Sequence, residues 1–206
     1  MLFYFQPMKI KLTLTLLLVA SAKLFAQETE SPEVTNVTRV TFLQPGFSYE
    51  LKTGRMQSLY INPYVVTISS VSYSSTFGWN APFNFDPMLL AHYRFYYNGD
   101  KRAAKGKRTE MNSMNYLTPV AQVSYPKRTR VNEGIVEEKR QVDFGIGALW
   151  GMQRNYRKRF SLDLNMGVGC YFWNEVTIDS GKTTKEAHAE FSPAIQFSLG
   201  FWLNKR

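Results

Sequence analysis

Polar and apolar positions alternate with a period of two through much of this chain. In residues 160–172, Phe160, Leu162, Leu164, Met166, Val168, Cys170 and Phe172 share one parity. Ser161, Asp163, Asn165, Gly167, Gly169 and Tyr171 hold the other. Successive side chains of a strand point to opposite faces, so this pattern predicts a strand with one apolar and one polar face; a helix would scatter the same residues all round. The last segment repeats the pattern. Phe191, Pro193, Ile195, Phe197, Leu199, Phe201 and Leu203 alternate with Glu190, Ser192, Ala194, Gln196, Ser198, Gly200 and Trp202.

A third strand spans 142–153, where Val142, Phe144, Ile146, Ala148, Trp150 and Met152 face a set rich in glycine, as suits a crowded interior. Residues 83–97 give another, and 117–125 a weaker one. Near the start, 59–65 reads as a strand, and 38–43 and 47–51 read as two shorter ones broken at Gln44-Pro45-Gly46, where proline and glycine favour a turn. The expected fold is therefore all-β, a closed antiparallel barrel of about eight strands.

An even strand count with both termini on one side sorts the connections into two sets. Residues 44–46, 71–82, 126–140 and 174–186 become loops at the far end. Residues 52–55, 98–112 and 154–158 fall at the end that holds the termini. The length of 98–112 departs from the short turns expected there.

Alternation alone leaves open which face is outside, because a soluble lipocalin-like barrel turns its apolar face inward. The polar face decides. It carries Arg39, Glu50, Asp86, His92, Arg94, Asp143, Asp163 and Glu190, a candidate interior network of ions that are costly in lipid unless paired inside. Aromatics gather near strand ends, at Phe95-Tyr96-Tyr97, Phe172-Trp173 and Phe201-Trp202, where interfacial girdles of a membrane barrel lie.

The first apolar run, Leu12 to Ala22, follows Lys9 and Lys11 and holds no acid. It has the layout of a secretory signal peptide and falls short of the ~20 residues that a spanning helix needs. Met8 is an alternative start, and Ala26 offers a cleavage position. The expected organisation is a signal peptide over 1–26, a flexible acidic leader over 27–33 and a barrel domain over 34–206. Removal of Lys9, Lys11 and Lys23 takes the formal charge of +9 down by three to +6. For an exported basic chain the nearest polyanions are lipopolysaccharide and phospholipid headgroups.

Little points to chemistry. The single cysteine, Cys170, allows no disulfide within the chain and no thiolate metal cluster. No phosphate-binding loop, metal-ligand spacing or nucleic-acid motif is present, so no cofactor, metal, nucleic-acid partner or catalytic activity is expected. A rim hydrolase built on His188, with Glu186 or Glu190 and Ser192, lacks any nucleophile-elbow spacing. The basic run Lys101, Arg102, Lys105, Lys107 and Arg108 reads as a solvated turn, or as a contact for an acidic partner or headgroups. Lys127, Arg128 and Arg130 lie in an expected outside loop, in reach of lipopolysaccharide phosphates.

Three segments carry a family likeness: the signal ending Phe25-Ala26-Gln27, Arg94-Phe-Tyr-Tyr-Asn98 with the basic run behind it, and Lys158 to Tyr171. On these the chain resembles the small outer-membrane β-barrel proteins of Bacteroidota, OmpA-like in strand number, over most of 34–206. It departs from them at its C-terminus, Trp202-Leu-Asn-Lys-Arg206, which lacks a terminal aromatic. The resemblance implies outer-membrane location and eight strands, and no uniform activity. The expected role is structural or surface-interacting, with lipid, lipopolysaccharide, protein or glycan partners. The alternative is a barrel that binds a small molecule or lipid around Glu50, His92 and Arg94. Cleavage after Ala26 leaves Gln27 as the first residue of the mature chain, and intact-mass measurement of the exported protein checks this; a mass that retains Lys9 to Ala26 overturns it.

Overall fold

The structure is a computed structural model that describes residues 31–68, 72–76, 78–80, 83–132, 135–179 and 182–204. The expected signal peptide and residues 27–30 of the expected leader lie outside the described residues. The fold is all-β, with 71% strand. Its elements are β1 (Val37–Thr41), β2 (Gly46–Gly54), β3 (Gln57–Ile68), β4 (Ser72–Ser74), β5 (Gly78–Asn80) and β6 (Phe83–Tyr96), then helix α1 (Gly99–Ala103) and a 3-10 turn (Glu110–Asn112). After them come β7 (Asn115–Ser124), β8 (Lys127–Asn132), β9 (Ile135–Arg140), β10 (Asp143–Asn155), β11 (Phe160–Asp179) and β12 (Lys182–Trp202).

Eight of these strands form one antiparallel ring in the order β1-β2-β3-β6-β7-β10-β11-β12, consistent with a β-barrel. The last strand returns to the first through the register Arg39↔Trp202, Val40↔Phe201 and Thr41↔Gly200. Pairing round the ring leaves its strands without a free edge. The eight are the strands that alternation predicts, and Pro45-Gly46 does divide the first two.

Two expected loops at the far end are built otherwise. Residues 126–140 form the hairpin β8–β9, which touches β11 through one parallel bridge, Asn132↔Ile178. Residues 174–186 continue β11 and β12, paired in unbroken register as far as Asp179↔Lys182. The apolar alternation stops near Phe172, yet a two-stranded ribbon needs only its ladder and strand-forming residues. Val176-Thr177-Ile178 and Thr183-Thr184 supply the β-branched positions. The 71–82 stretch holds the small hairpin β4–β5, whose Tyr73 and Trp79 rings lie 5.3 Å apart.

The ring is polar within and apolar without. Glu50 and Arg94 are fully buried, whereas Phe191 and Ile195 are 71% and 75% exposed. This is the reverse of a water-soluble core, and it follows the parity of the sequence throughout. Of the end aromatics, Phe95, Tyr97, Phe172 and Phe201 face outward, while Tyr96 and Trp202 have the inward parity and are buried.

The end at which β1 begins and β12 stops is sealed by the chain itself. Val34, Tyr96, Met114 and Tyr116 form a buried cluster, with Met56 packed against it. Asn112, in the left-handed region at φ 61°, turns its amide onto residue 35: Thr35 N–H donates to its Oδ1 and its Nδ2 donates to the Thr35 carbonyl, both at 2.8 Å. Pro32, assigned to a flexible leader by composition, is buried here, and Glu33 pairs with Lys52. The unexpectedly long 98–112 connection supplies the plug.

Packing inside leaves no room for a side chain at Gly151. A Cβ there would lie 2.1 Å from the Tyr116 ring, which is fixed by its own hydroxyl bond to Asp163. Overpacking of this kind costs about 1–3 kcal/mol. Gly151→Ala is therefore expected to lower the urea midpoint of the refolded protein accordingly, and an unchanged midpoint would show that the interior is loosely packed.

Candidate functional site

Inward parity brings charges from strands far apart in sequence onto one level of the lumen. Arg39 of β1 pairs with Glu50 of β2 through Nη2 and Oε2. Ser58 Oγ of β3 donates to Glu50 Oε1 at 2.7 Å, the Tyr96 hydroxyl of β6 donates to the same oxygen, and Gln153 Nε2 of β10 donates to Oε2 at 3.3 Å. Glu50 thus accepts four hydrogen bonds from protein groups, about the number its two oxygens can take.

Arg94 of β6 is the hub. Its Nη1 donates to Gln153 Oε1 and lies 3.7 Å from Glu50 Oε2, and its Nη2 donates to Asp163 Oδ2 of β11 at 2.7 Å. The guanidinium is sandwiched between two rings, 3.8 Å from the Tyr60 centroid and 4.3 Å from that of Tyr116. Tyr116 of β7 in turn donates to Asp163 Oδ1 at 2.7 Å. Two arginines and two carboxylates cancel in charge and tie together seven of the ring's eight strands.

The candidate network divides. Arg39, Glu50, Arg94 and Asp163 are brought together. His92 is buried one step above them, its ring 5.4 Å from that of Tyr60, and has no hydrogen-bond partner among the described residues. Asp86 is not beside it; that carboxylate sits at the far rim, 3.1 Å from Arg140 Nη1, which also donates to the Tyr125 carbonyl, while Arg140 Nη2 donates to the Phe85 carbonyl. Asp143 is buried at the same rim, and Glu190 is exposed there. Tyr60, Tyr96, Tyr116 and Gln153 were absent from the candidate set although their parity matches that of Arg94 and Asp163. A search for charge alone passes over the phenols and amide that complete it.

Above the network the lumen opens into a two-part vestibule. A lower cavity of about 260 Å³ is lined by Tyr64, Leu90, Leu149, Asn165 and Gln196 among others. An upper one of about 440 Å³ is lined by Asp86, Asp143, Glu190, Ser124 and Ser192. Val66, Met88, Gln122 and Tyr171 line both, so the two adjoin. The floor is apolar and amide-lined and the mouth carries the carboxylates, a gradient suited to a ligand with one greasy end.

At the rim, His188 stacks on Trp173 with centroids 5.6 Å apart, and its Nε2 lies 3.2 Å from Glu175 Oε2. Ser192 Oγ donates instead to the Pro193 carbonyl at 3.4 Å. His188 therefore meets a carboxylate and an indole rather than the serine of a hydrolytic triad. Cys170 faces outward, half-buried. No protein family, curated protein or solved structure matches this chain.

Breaking a buried ion pair costs about 3–5 kcal/mol because it strands the remaining charge, whereas removal of both partners is close to neutral. Glu50→Leu is expected to destabilise by that amount. Adding Arg39→Met to it is expected to recover most of the loss, since Arg94 keeps Asp163. Additive losses in a double-mutant unfolding cycle would show that the two side chains do not act as a pair.

Proposed function

We propose that this chain is a transmembrane β-barrel of a Gram-negative outer membrane, of the small eight-stranded kind found in Bacteroidota, with a structural or surface-interaction role. The observation that carries the reading is the inverted burial: a charge-balanced network inside and a continuous belt of Phe, Leu, Ile and Val outside. A belt of that extent is unfavourable in water and favourable against acyl chains. Strand lengths agree for most of the ring, since about 9–11 residues cross a bilayer at the usual tilt and β2, β7, β3 and β10 have 9, 10, 12 and 13, whereas β1 has 5. The apolar run at 12–22 supports export.

With the termini on the periplasmic side, the hairpins β4–β5, β8–β9 and β11–β12 stand outside the cell, where lipopolysaccharide, a glycan or another protein is the partner. The buried side chains at 112–116 and the Arg94 network occupy the lumen among the described residues, which supports a filled barrel rather than a general pore. The reading assigns no catalytic activity, cofactor or nucleic-acid partner. The vestibule favours a second reading, a barrel that holds a small molecule or lipid at its outer mouth.

Fractionation of the native host, followed by electrophoresis of boiled and unboiled samples, tests the reading. An outer-membrane band whose mobility shifts on heating is expected, with vesicle swelling in sugar no faster than in empty liposomes. A soluble periplasmic protein with no heat shift would overturn it.

A further inference from the structure

Charge is divided along the axis of the ring. At the end where β1 begins and β12 stops, the connection 97–114 carries Lys101, Arg102, Lys105, Lys107 and Arg108 against Asp100 and Glu110. The 156–159 turn adds Arg157, Lys158 and Arg159 with no acid, and the turn after β2 adds Arg55. That makes nine cations against two acids. At the far end, residues 127–143 and 175–190 together hold seven cations and eight acids. The basic character of the protein is thus a property of one end, and it is opposite to the end where lipopolysaccharide lies in the barrel reading.

Local ion pairs absorb little of this excess. Asp100 lies 3.5 Å from Arg55, and Glu110 is 2.8 Å from Arg108. Lys101, Lys105 and Lys107 are exposed and have no carboxylate partner among the described residues. Between these connections lies a groove of about 440 Å³ with Arg108, Glu110 and Arg157 on its walls and Met111 and Trp202 behind them.

Position says what such a surface meets. The cations adjoin the outward aromatic band directly: Tyr156 precedes Arg157, Phe160 follows Arg159, and Tyr97 stands four residues before Lys101. Tyr97 also accepts from the Trp150 indole at 2.7 Å, which holds both rings at the edge of the apolar belt. In a membrane those rings sit at headgroup depth, so lysine and arginine one to a few residues beyond them lie against lipid phosphates rather than in open solvent. A soluble acidic protein would have to compete with that layer.

We propose that the end of the barrel where β1 begins and β12 stops is a selective surface for anionic phospholipid headgroups, which bind by their phosphates across the 97–114 and 156–159 connections. This rests on the membrane-barrel reading. Heat modifiability of the sample, measured first, separates failure of that reading from failure of this one.

The test uses refolded barrel in zwitterionic micelles, titrated with dihexanoyl phosphatidylglycerol, dihexanoyl phosphatidylcholine or inorganic phosphate and followed by backbone amide shifts. Phosphatidylglycerol is expected to move amides in 98–110 and 156–159 and to leave 127–140 in place. Its binding should weaken with salt and fall about tenfold or more in Lys101→Gln/Lys105→Gln/Lys107→Gln. The matching far-end variant, Lys127→Gln/Lys139→Gln/Lys185→Gln, should bind as the parent does. Equal shifts with phosphatidylcholine, equal loss in both variants, or full reproduction by inorganic phosphate would each overturn the proposal, the last by showing an ion site without a lipid surface.

Discussion

The structure depends on one requirement: a guanidinium taken out of water must be neutralised on the spot. Arg94 is fully buried, and an unpaired buried ion costs several kcal/mol. Asp163 from β11, Glu50 from β2 and two tyrosine faces meet that cost only if β2, β3, β6, β7 and β11 are all present at the right height. Register and neutrality are therefore one condition. A slip of one residue in any of these strands would turn its inward charge or ring toward the apolar outside.

Much of this was legible in the sequence, because alternation states the pairing parity of each strand directly. The polar positions of 160–172 and 142–153 are the inward positions, and Arg39, Glu50, Arg94 and Asp163 could be grouped by parity alone. Height along the axis was not legible. It depends on the stagger between strands, so Asp86 and Glu190 share a parity with Arg94 and still end at the rim. Residues 126–140 and 174–186 were misread as loops because their sequence carries little hydrophobic contrast between the two parities, although the ladder continues. The plug was hidden for a related reason: Val34, Asn112 and Met114 are held by contacts between segments some 80 residues apart, for which no local pattern exists.

The two ends of the molecule consequently differ in kind. One end is sealed, densely packed and cationic, with aromatic rings at its margin. The other is open, with a vestibule whose floor is apolar and whose mouth carries carboxylates. The charge-balanced layer between them separates these environments and lies beneath the Tyr64 and Leu149 floor of the vestibule, with Arg39 Nε and Nη1 and Arg94 Nε left without hydrogen-bond partners among the described residues.

The seam between the first and last strands has a kinetic meaning. Thr38 N–H donates to Asn204 Oδ1 at 2.9 Å, Asn204 Nδ2 donates to the Asn36 carbonyl at 2.7 Å, and Leu203 N–H donates to the Thr38 carbonyl at 2.9 Å. The partners in these bonds are separated by more than 160 residues. Every other pairing round the ring joins strands that follow one another within it, so this seam closes the longest loop in the sheet. Closure of so long a loop is slow, and the β1–β12 seam is therefore the pairing expected to limit the rate at which the ring forms.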